Sequence, residues 1–277
     1  MAEIPTVQMN NGAPIPQLGF GVFQIDPAET REATLAALEV GYRHIDTAQM
    51  YRNERGVGEA IRDSGLARSE VFVTTKLSNA NHDPGDARRS IEGSLEELGL
   101  DHVDLFLVHG PMPAVVDFLE TWRAMEAIRD AGQARAIGVS NFTEAHLRRL
   151  LDAGATVPAV NQIEVHPWLA QNDLRRFASG RGIVTEAWSP IARGKVLGDP
   201  EVIDLANAVG RTPAQVVLRW HIQRGDVVFP KTVHRERMIE NASLFDFELD
   251  ESAMQRLDAL DRGERIGPDP DRFQRVP

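Results

Sequence analysis

Val103-Asp104-Leu105-Phe106-Leu107-Val108-His109 is a short, mostly apolar run that ends in a polar residue. Tyr42 to Asp46 and Val71 to Lys76 have the same form. Runs of this kind are typical of buried β-strands. From Asp46 the run ends follow at intervals of 30, 33 and 31 residues, at Lys76, His109 and Ser140. Each interval has room for a strand, a helix and two loops, which predicts parallel strands joined by crossover helices.

Further apolar runs bring the total to eight. They cover residues 17–21, 134–140, 159–165, 183–188 and 227–231. Eight runs at near-even spacing, without a glycine-rich first turn, favour an α/β fold of the closed (β/α)8 TIM-barrel type. An open, doubly wound parallel sheet is the competing topology.

Helix signals fill the intervals between the runs. Asp-Pro pairs begin segments at residues 26 and 83, and Thr143 precedes another. Segments 200–209, 213–223 and 250–260 supply two helices more than the repeat needs. A β-hairpin is expected to turn at residues 10–12. We expect residues 1–277 to form one domain, whose tail, 262–277, is an irregular loop over the barrel mouth.

Composition narrows the classes of function. The formal net charge is −11, which disfavours binding to nucleic acid. The chain has no cysteine, which excludes disulfides, thiolate metal sites and cysteine nucleophiles. We expect no signal peptide, because the first residues lack its basic start and apolar core, and no run has the length of a membrane span. We therefore expect a cytoplasmic monomer that binds no membrane.

Four polar residues near the ends of consecutive runs predict a proton-delivery site. The ends of parallel strands meet at one mouth of a barrel, so Asp46, Lys76 and His109 should converge beside Tyr51. The Lys76 ammonium is expected to lower the pKa of the Tyr51 phenol, with Asp46 as the partner of Lys76. His109 is suited to donate a hydrogen bond to the carbonyl that Tyr51 protonates.

Other interpretations of these residues remain open. A lysine at a strand end is often a solvated charge, and a single histidine is often structural. Asp46, His109 and His166 could alternatively form a metal site for hydrolysis. We expect no metal, because Lys76 would place a cation beside the ion.

Basic residues after the last run predict an anion site. Arg235 and Arg237 lie with Lys231 near a helix N-terminus, where the helix dipole prefers an anion. The alternative is a solvated basic face paired with Glu236 and Glu240.

Polar and aromatic residues at neighbouring run ends suit an amide-bearing ring. Ser140, Asn141 and Gln162 offer donors and acceptors to a carboxamide. Trp188 offers a face for stacking, although ordinary barrel packing would explain it equally well.

Together these motifs closely resemble the aldo-keto reductases, over essentially the whole chain. The matching stretches are residues 41–48 with Tyr51, 74–77, 107–109, 137–142, and 231–233 with Arg237 and Asn241. The nearest likeness is to the bacterial branch that includes the 2,5-diketo-gluconate reductases, in which a tryptophan such as Trp188 replaces a tyrosine.

The resemblance implies NADPH-dependent reduction of aldehydes or ketones to alcohols, with Tyr51 as the proton donor and Asp46, Lys76 and His109 as its catalytic partners. It implies that Ser140, Asn141 and Gln162 bind the nicotinamide carboxamide, above Trp188. The segment from Ser189 through Ile191 to Leu197 would follow the pyrophosphate. The adenosine 2′-phosphate would be held by Lys231, Thr232, Val233 and Arg237, and the adenine by Glu240 and Asn241.

The chain departs from the family pattern in its expected substrate pocket. Ser78 and Gly110 stand where many members have tryptophan, which implies a wide pocket for dicarbonyl or keto-sugar substrates. Phe23 and Met50 are expected to complete its walls, although packing at the barrel rim would account for them equally well. The alternative function is a nucleotide-binding regulatory subunit without significant turnover.

Overall fold

The structure is a computed structural model that describes residues 4–272. A two-stranded hairpin comes first, formed by β1 (Thr6–Gln8) and β2 (Pro14–Pro16). Eight parallel strands follow, in spatial order equal to chain order. They are β3 (Phe20–Gly21), β4 (His44–Asp46), β5 (Phe72–Leu77), β6 (Val103–Val108), β7 (Ala134–Ser140), β8 (Val160–Glu164), β9 (Val184–Trp188) and β10 (Val227–Val228).

The first and last of these strands meet, so the sheet is closed. Leu18 forms a parallel bridge with Val228, and the Gly19 amide donates to the Val228 carbonyl at 2.9 Å. The predicted (β/α)8 barrel is therefore confirmed, and the open-sheet alternative is wrong.

Ten α-helices surround the barrel in the described part of the chain. They are α1 (Pro27–Val40), α2 (Glu54–Asp63), α3 (Pro84–Leu98), α4 (Phe118–Asp130), α5 (Glu144–Asp152), α6 (Asn172–Ser179), α7 (Pro200–Val209), α8 (Pro213–Gln223), α9 (Arg235–Ala242) and α10 (Glu251–Asp258). Helices α7 and α10 are the two predicted extra helices. In α1, α3 and α7 an aspartate caps the N-terminus, proline follows, and a left-handed glycine ends the helix.

Six of the eight predicted strands are longer than the strands observed, and the difference is largest for the first and the last. The first is expected over residues 17–21 and the last over 227–231, but each is assigned only two residues. Pro230 has no backbone N–H to donate to the ladder, so β10 cannot extend through it. Lys231 consequently lies in the loop after β10, three residues beyond the strand end.

The barrel interior has an apolar floor and a polar upper layer. Met9 and Ile15 from the hairpin region pack with Leu105 and Val184 inside the barrel and close its lower end. A second apolar layer lies between the sheet and the helices. Above the floor the interior side chains become polar, and this polar layer faces the C-terminal ends of the strands.

Gly58 marks a close contact between α2 and α3. A Cβ atom on Gly58 would lie 2.0 Å from the backbone oxygen of Leu98, so α2 and α3 approach too closely for any side chain. Gly58 therefore serves the close packing of α2 against α3.

Candidate active site

Unusual backbone geometry concentrates at the C-terminal end of the barrel. Every non-glycine residue with a left-handed φ in the described chain lies in a loop that follows a barrel strand: Gln24, Arg52, Met112, Asn141, Gln171, Ser189, Ala192 and Arg193. Such conformations cost about 1–3 kcal/mol each and cluster at functional sites. The barrel mouth is thus the face at which to look for chemistry.

Lys76 and Asp46 form a buried ion pair at this mouth. The Lys76 ammonium donates to the two Asp46 carboxylate oxygens at 2.6 and 2.8 Å and to the Thr47 carbonyl at 2.9 Å. Lys76 is fully buried. Burial is the largest single effect and lowers the pKa of Lys76, but the charge and hydrogen bonds of Asp46, together with Tyr51 and Glu186, outweigh it and the net pKa is raised. The lysine therefore stays charged, as its pairing with Asp46 predicts.

Tyr51 lies in a short 3₁₀ turn after β4 and reaches back to this pair. Its hydroxyl is 3.4 Å from the Lys76 nitrogen, and that nitrogen lies 5.0 Å from the ring centroid. The expected lowering of the Tyr51 pKa is wrong for the protein alone. Burial raises the pKa of Tyr51, and the opposing charge of Lys76 only reduces the rise. Tyr51 is a neutral phenol at neutral pH and can donate a proton.

His109 completes the group from the end of β6. Its ring lies 5.7 Å from that of Tyr51, edge to face. Burial, aided by the charge of Lys76, lowers the pKa of His109 to about 3. The imidazole is therefore neutral, and its buried Nδ1 has no hydrogen-bond partner among the described residues. The four residues predicted for proton delivery lie together.

Gln162 joins this group to a carboxyl that the sequence interpretation missed. Its side-chain nitrogen donates to Asp46 Oδ2 and to Glu186 Oε2, each at 2.8 Å. Glu186 is fully buried on β9. Burial, followed by the charge of Asp46, raises the pKa of Glu186 to about 8. The available signal is an acidic residue inside a largely apolar strand whose residues are almost all buried.

Ser140, Asn141 and Trp188 form one hydrogen-bonded unit at the ends of β7 and β9. The Trp188 indole donates to Asn141 Oδ1 at 2.9 Å, and the Asn141 amide donates to the His109 carbonyl at 2.9 Å. Ser140 donates to the Gln162 backbone carbonyl at 3.0 Å. The amide and hydroxyl groups are therefore fixed beside the indole, at the position predicted for a carboxamide-bearing ring.

The segment from Ser189 to Leu197 forms a kinked 3₁₀ loop over the mouth. Ser189, Ala192 and Arg193 are left-handed within it. Its base is tied down from below, because the buried His221 ring donates to the Pro190 carbonyl at 3.1 Å. Ile191 and Leu197 pack against the core from this loop.

The basic segment after β10 lines an open cleft of about 540 Å³ formed by residues 233–237. Arg235 is not free, since it pairs with Glu39 on α1 at 2.7 Å. Within residues 4–272, Lys231 and Arg237 form no ion pair, which disagrees with the alternative of a self-paired face. Thr232 and Asn241 are buried beside the cleft. Glu240 accepts a bond from the Thr212 hydroxyl at 2.7 Å, so one of its oxygens is already engaged.

The four residues expected in the substrate pocket lie at the mouth around Tyr51. The exposed ring of Phe23 is 5.0 Å from that of Tyr51, and Met50 is its half-buried chain neighbour. Ser78 and Gly110 directly follow β5 and His109, respectively. A Cβ atom on Gly110 would lie 3.5 Å from Asn79 Oδ1, an ordinary contact, so the absence of a side chain there leaves usable space.

The described part of the tail crosses the ends of β8 and β9. The buried Glu164 carboxylate accepts from the Ile266 amide at 2.6 Å and the Gly267 amide at 3.1 Å, and from His166 at 3.0 Å. Gly267 lies against Trp188, where a Cβ atom would come within 2.3 Å of the indole. The last five residues of the predicted tail, 273–277, lie outside the described residues.

Two of the three residues proposed for a metal, Asp46 and His166, are engaged with other partners. Asp46 is held by Lys76, and His166 by Glu164. Within residues 4–272 no group of three or more histidines and acidic residues is arranged to hold a metal ion. No helix in the same range is long and apolar enough to cross a membrane.

Comparison with known proteins agrees with this geometry. The model of the aldo/keto reductase family matches residues 17–262. An aldo-keto reductase of Mycolicibacterium smegmatis is 46% identical over 269 residues, which cover 97% of this chain and 98% of the relative. Methylglyoxal reductase DkgA of Escherichia coli is 44% identical over 275 residues, or 99% of each chain. The chain belongs to the aldo/keto reductase family.

A solved structure agrees over the same length. The crystal structure of a mutant of Gox0644 in complex with NADPH superposes with a TM-score of 0.94 and 41% identity, covering 99% of each chain. The predicted family, including its likeness to the bacterial diketo-gluconate reductase branch, is confirmed.

Proposed function

We propose that this protein reduces small aldehydes and ketones, chiefly 1,2-dicarbonyl compounds, to alcohols with NADPH and with Tyr51 as the proton donor. The observation that carries the proposal is the buried contact of Tyr51, Lys76 and Asp46 beside a neutral His109. Family membership and the NADPH complex of a close structural neighbour support it.

The residues at the mouth fit a nicotinamide cofactor. The His109 ring lies 5.7 Å from that of Tyr51, and its buried Nδ1 has no hydrogen-bond partner among the described residues. Gln162 uses both amide hydrogens on carboxyl groups, so its carbonyl oxygen remains for the N–H of a carboxamide. Ser140 and Asn141 would supply the other bonds to that group, and Trp188 the stacking face.

The basic cleft fits the other end of the cofactor. Lys231 and Arg237 would pair with the adenosine 2′-phosphate, assisted by Thr232 and Val233. Asn241 and the free part of Glu240 would contact the adenine. The Ser189–Leu197 loop would lie along the pyrophosphate, with Ser189, Ile191 and Leu197 in contact.

Each residue of the catalytic group has a definite task in the reduction. Bound NADPH supplies the hydride. The neutral His109 ring donates a hydrogen bond to the substrate carbonyl and orients it. Tyr51 then transfers its proton to that oxygen, and the Lys76 ammonium stabilises the phenolate that remains. Asp46 keeps Lys76 charged within the buried site.

The pocket geometry favours compact, polar carbonyl substrates of varied shape. Ser78 and Gly110 would leave one side of the pocket wide and polar, while Phe23, whose ring is 5.0 Å from that of Tyr51, and Met50 would cover the other. A relative of 44% identity is named for methylglyoxal reduction. We propose methylglyoxal, phenylglyoxal, diketones and keto-sugars as the substrate class.

The test follows NADPH oxidation with these carbonyls in wild type and Tyr51→Phe. We expect the substitution to lower kcat by about 10²-fold or more, as for loss of a general acid, with little change in NADPH affinity. The chain offers a matched control, because its only other tyrosine, Tyr42, is buried elsewhere and donates to the Met238 carbonyl at 3.0 Å. Tyr42→Phe should keep full activity.

Two outcomes would contradict the proposal. If wild type binds NADPH but turns over no carbonyl, the protein is a nucleotide-binding regulatory subunit. If Tyr51→Phe retains wild-type kcat, another residue is the proton donor.

A further inference from the structure

Glu186 is a carboxyl group in the barrel interior to which the proposed reaction assigns no role. It is fully buried, and its Oε1 atom has no hydrogen-bond partner among the described residues. Its Oε2 accepts from Gln162, and the same Gln162 nitrogen donates to Asp46. A single amide thus links Glu186 to the carboxylate that holds Lys76.

The polar layer of the barrel interior has more carboxyl groups than cations around Gln162. Asp46 on β4 and Glu186 on β9 are two carboxyl groups, but Lys76 on β5 is the one buried cation that acts on them in the described structure. Neighbouring β8 presents the neutral Gln162, and neighbouring β10 consists of two valines. Two carboxyl groups that share one ammonium cannot both ionise easily, and the more buried one keeps its proton.

We propose that Glu186 is a positioning residue that sets the acid strength of Tyr51, acting through Gln162, Asp46 and Lys76. The inference rests on the proposed function. As a neutral carboxyl, Glu186 holds the Gln162 amide on Asp46 and leaves Asp46 to serve Lys76 alone. As a carboxylate, it places a second negative charge in the layer, which opposes formation of the Tyr51 phenolate.

The sign of the pH effect follows from the raised pKa of Glu186, about 8. Below that pH the group is neutral and Tyr51 acts at full strength. Above it, the added negative charge raises the pKa of Tyr51 further, so the phenol becomes a weaker acid and reduction slows. We therefore expect reduction to have an alkaline limb near pH 8 that is set by Glu186.

Glu186→Gln tests this directly, because the amide keeps the shape and the acceptor but cannot ionise. The experiment measures kcat for methylglyoxal reduction at saturating NADPH from about pH 6 to about pH 10. Wild type should lose activity as pH rises through about 8, whereas the limb in Glu186→Gln should move up by about one pH unit or more. At neutral pH the two enzymes should be similar.

Glu54→Gln is the matched control. Glu54 is also a buried carboxyl whose pKa burial raises, but it accepts from Thr75 at 2.6 Å and Ser94 at 3.3 Å, between α2 and α3 and outside the barrel interior. Its substitution should leave the alkaline limb where wild type has it.

A stability measurement tests the ionisation of Glu186 without turnover. Between pH 4.5 and about 8, Glu186 is ionised in the unfolded chain but protonated in the fold, so the folded state binds the extra proton. Its contribution to stability is complete below pH 4.5 and falls as pH rises to about 8. In urea unfolding, Glu186→Gln should therefore gain stability relative to wild type across this range.

The outcomes separate the two proposals. If Glu186→Gln keeps both the wild-type alkaline limb and the wild-type dependence of stability on pH, Glu186 does not have this role. Loss of activity at every pH in a folded Glu186→Gln protein would also overturn it. If wild type reduces no carbonyl, the proposed function fails, and the unfolding experiment still decides whether Glu186 is neutral in the fold.

Discussion

At the scale of single residues, the site combines side chains that stay charged with side chains that burial keeps neutral. Lys76 retains its proton because Asp46 neutralises it within the fold. His109 and Glu186 are both held neutral by burial, one by a lowered pKa and the other by a raised one. Protonation of a carbonyl requires a neutral hydrogen-bond donor, a neutral acid and a paired cation. Here His109, Tyr51 and Lys76 would fill these three roles.

Sequence spacing was sufficient to predict Asp46, Lys76 and His109, because strand ends in a parallel barrel share one mouth. It was not sufficient for Glu186. No motif marks that residue, and its role depends on a contact with Gln162 that only the closed barrel creates. The sequence also does not predict the net rise of the Tyr51 pKa, since it identifies the neighbouring charge but not the degree of burial.

The basic cleft yields a prediction at this scale. Arg237→Ala should weaken NADPH binding about tenfold or more while leaving NADH nearly unchanged, because a charge-assisted bond to the 2′-phosphate is lost. Arg235 is the matched control, since it already pairs with Glu39. Binding titrations of both nucleotides to the two alanine variants would measure this. An equal loss of NADPH and NADH affinity in Arg237→Ala would show that Arg237 does not select the phosphate.

At the scale of elements, the helix signals predicted boundaries well and the strand signals less well. Helices α1 and α3 begin at the prolines of the predicted Asp-Pro pairs, and α7 and α8 span the predicted segments 200–209 and 213–223. Capping is local chemistry that sequence alone carries. Strand length depends on what each neighbour can pair with, which explains why β3 and β10 came out shorter than their apolar runs.

The tail has the least regular structure in the described chain, and the Glu164 carboxylate is one of its anchors. Burial acts to raise the pKa of Glu164, but its bonds from His166, Ile266 and Gly267 outweigh burial and hold that pKa below its usual value. The Glu164 carboxylate therefore stays ionised near neutral pH. It fixes the tail against Trp188, the predicted stacking surface.

Glu164→Ala should release this anchor. We expect amide hydrogen exchange at Ile266 and Gly267 to quicken about tenfold or more, since each loses its acceptor. Glu264→Ala is the control, because Glu264 pairs with Arg262 at the surface of the same segment. Exchange measured by mass spectrometry would distinguish them. Unchanged exchange in Glu164→Ala would mean that other contacts hold the tail.

At the scale of the whole molecule, barrel closure is the feature on which the site depends. Asp46, Lys76, Gln162 and Glu186 come from four strands and meet only because the sheet closes. The seam is narrow, with Leu18 bridged to Val228 and Gly19 packed under the Phe229 ring.

Gly19→Ala should therefore destabilise the fold. A Cβ atom would lie 2.5 Å from the Phe229 ring, which itself packs against His44, so relief requires movement at the seam. We expect a loss of about 1–3 kcal/mol in the free energy of unfolding, typical of overpacking. Gly93→Ala is the opposite case, because Gly93 lies within α3 with nothing within 4 Å. It should gain about 0.5–1 kcal/mol. Urea denaturation would measure both, and equal effects would contradict the assigned tightness of the seam.

The two ends of the barrel differ in how the chain makes its turns. Every loop that leads from a helix into β4 through β10 turns on a left-handed glycine: Gly41, Gly65, Gly99, Gly132, Gly154, Gly182 and Gly225. At the mouth the same conformation is imposed on residues with side chains, such as Asn141 and Ser189. For protein engineering, the relaxed end can be redesigned for heat resistance with little risk to turnover. At the mouth, substitutions that relieve the backbone strain would stabilise the fold, but they are useful only at positions where catalysis does not need that strain.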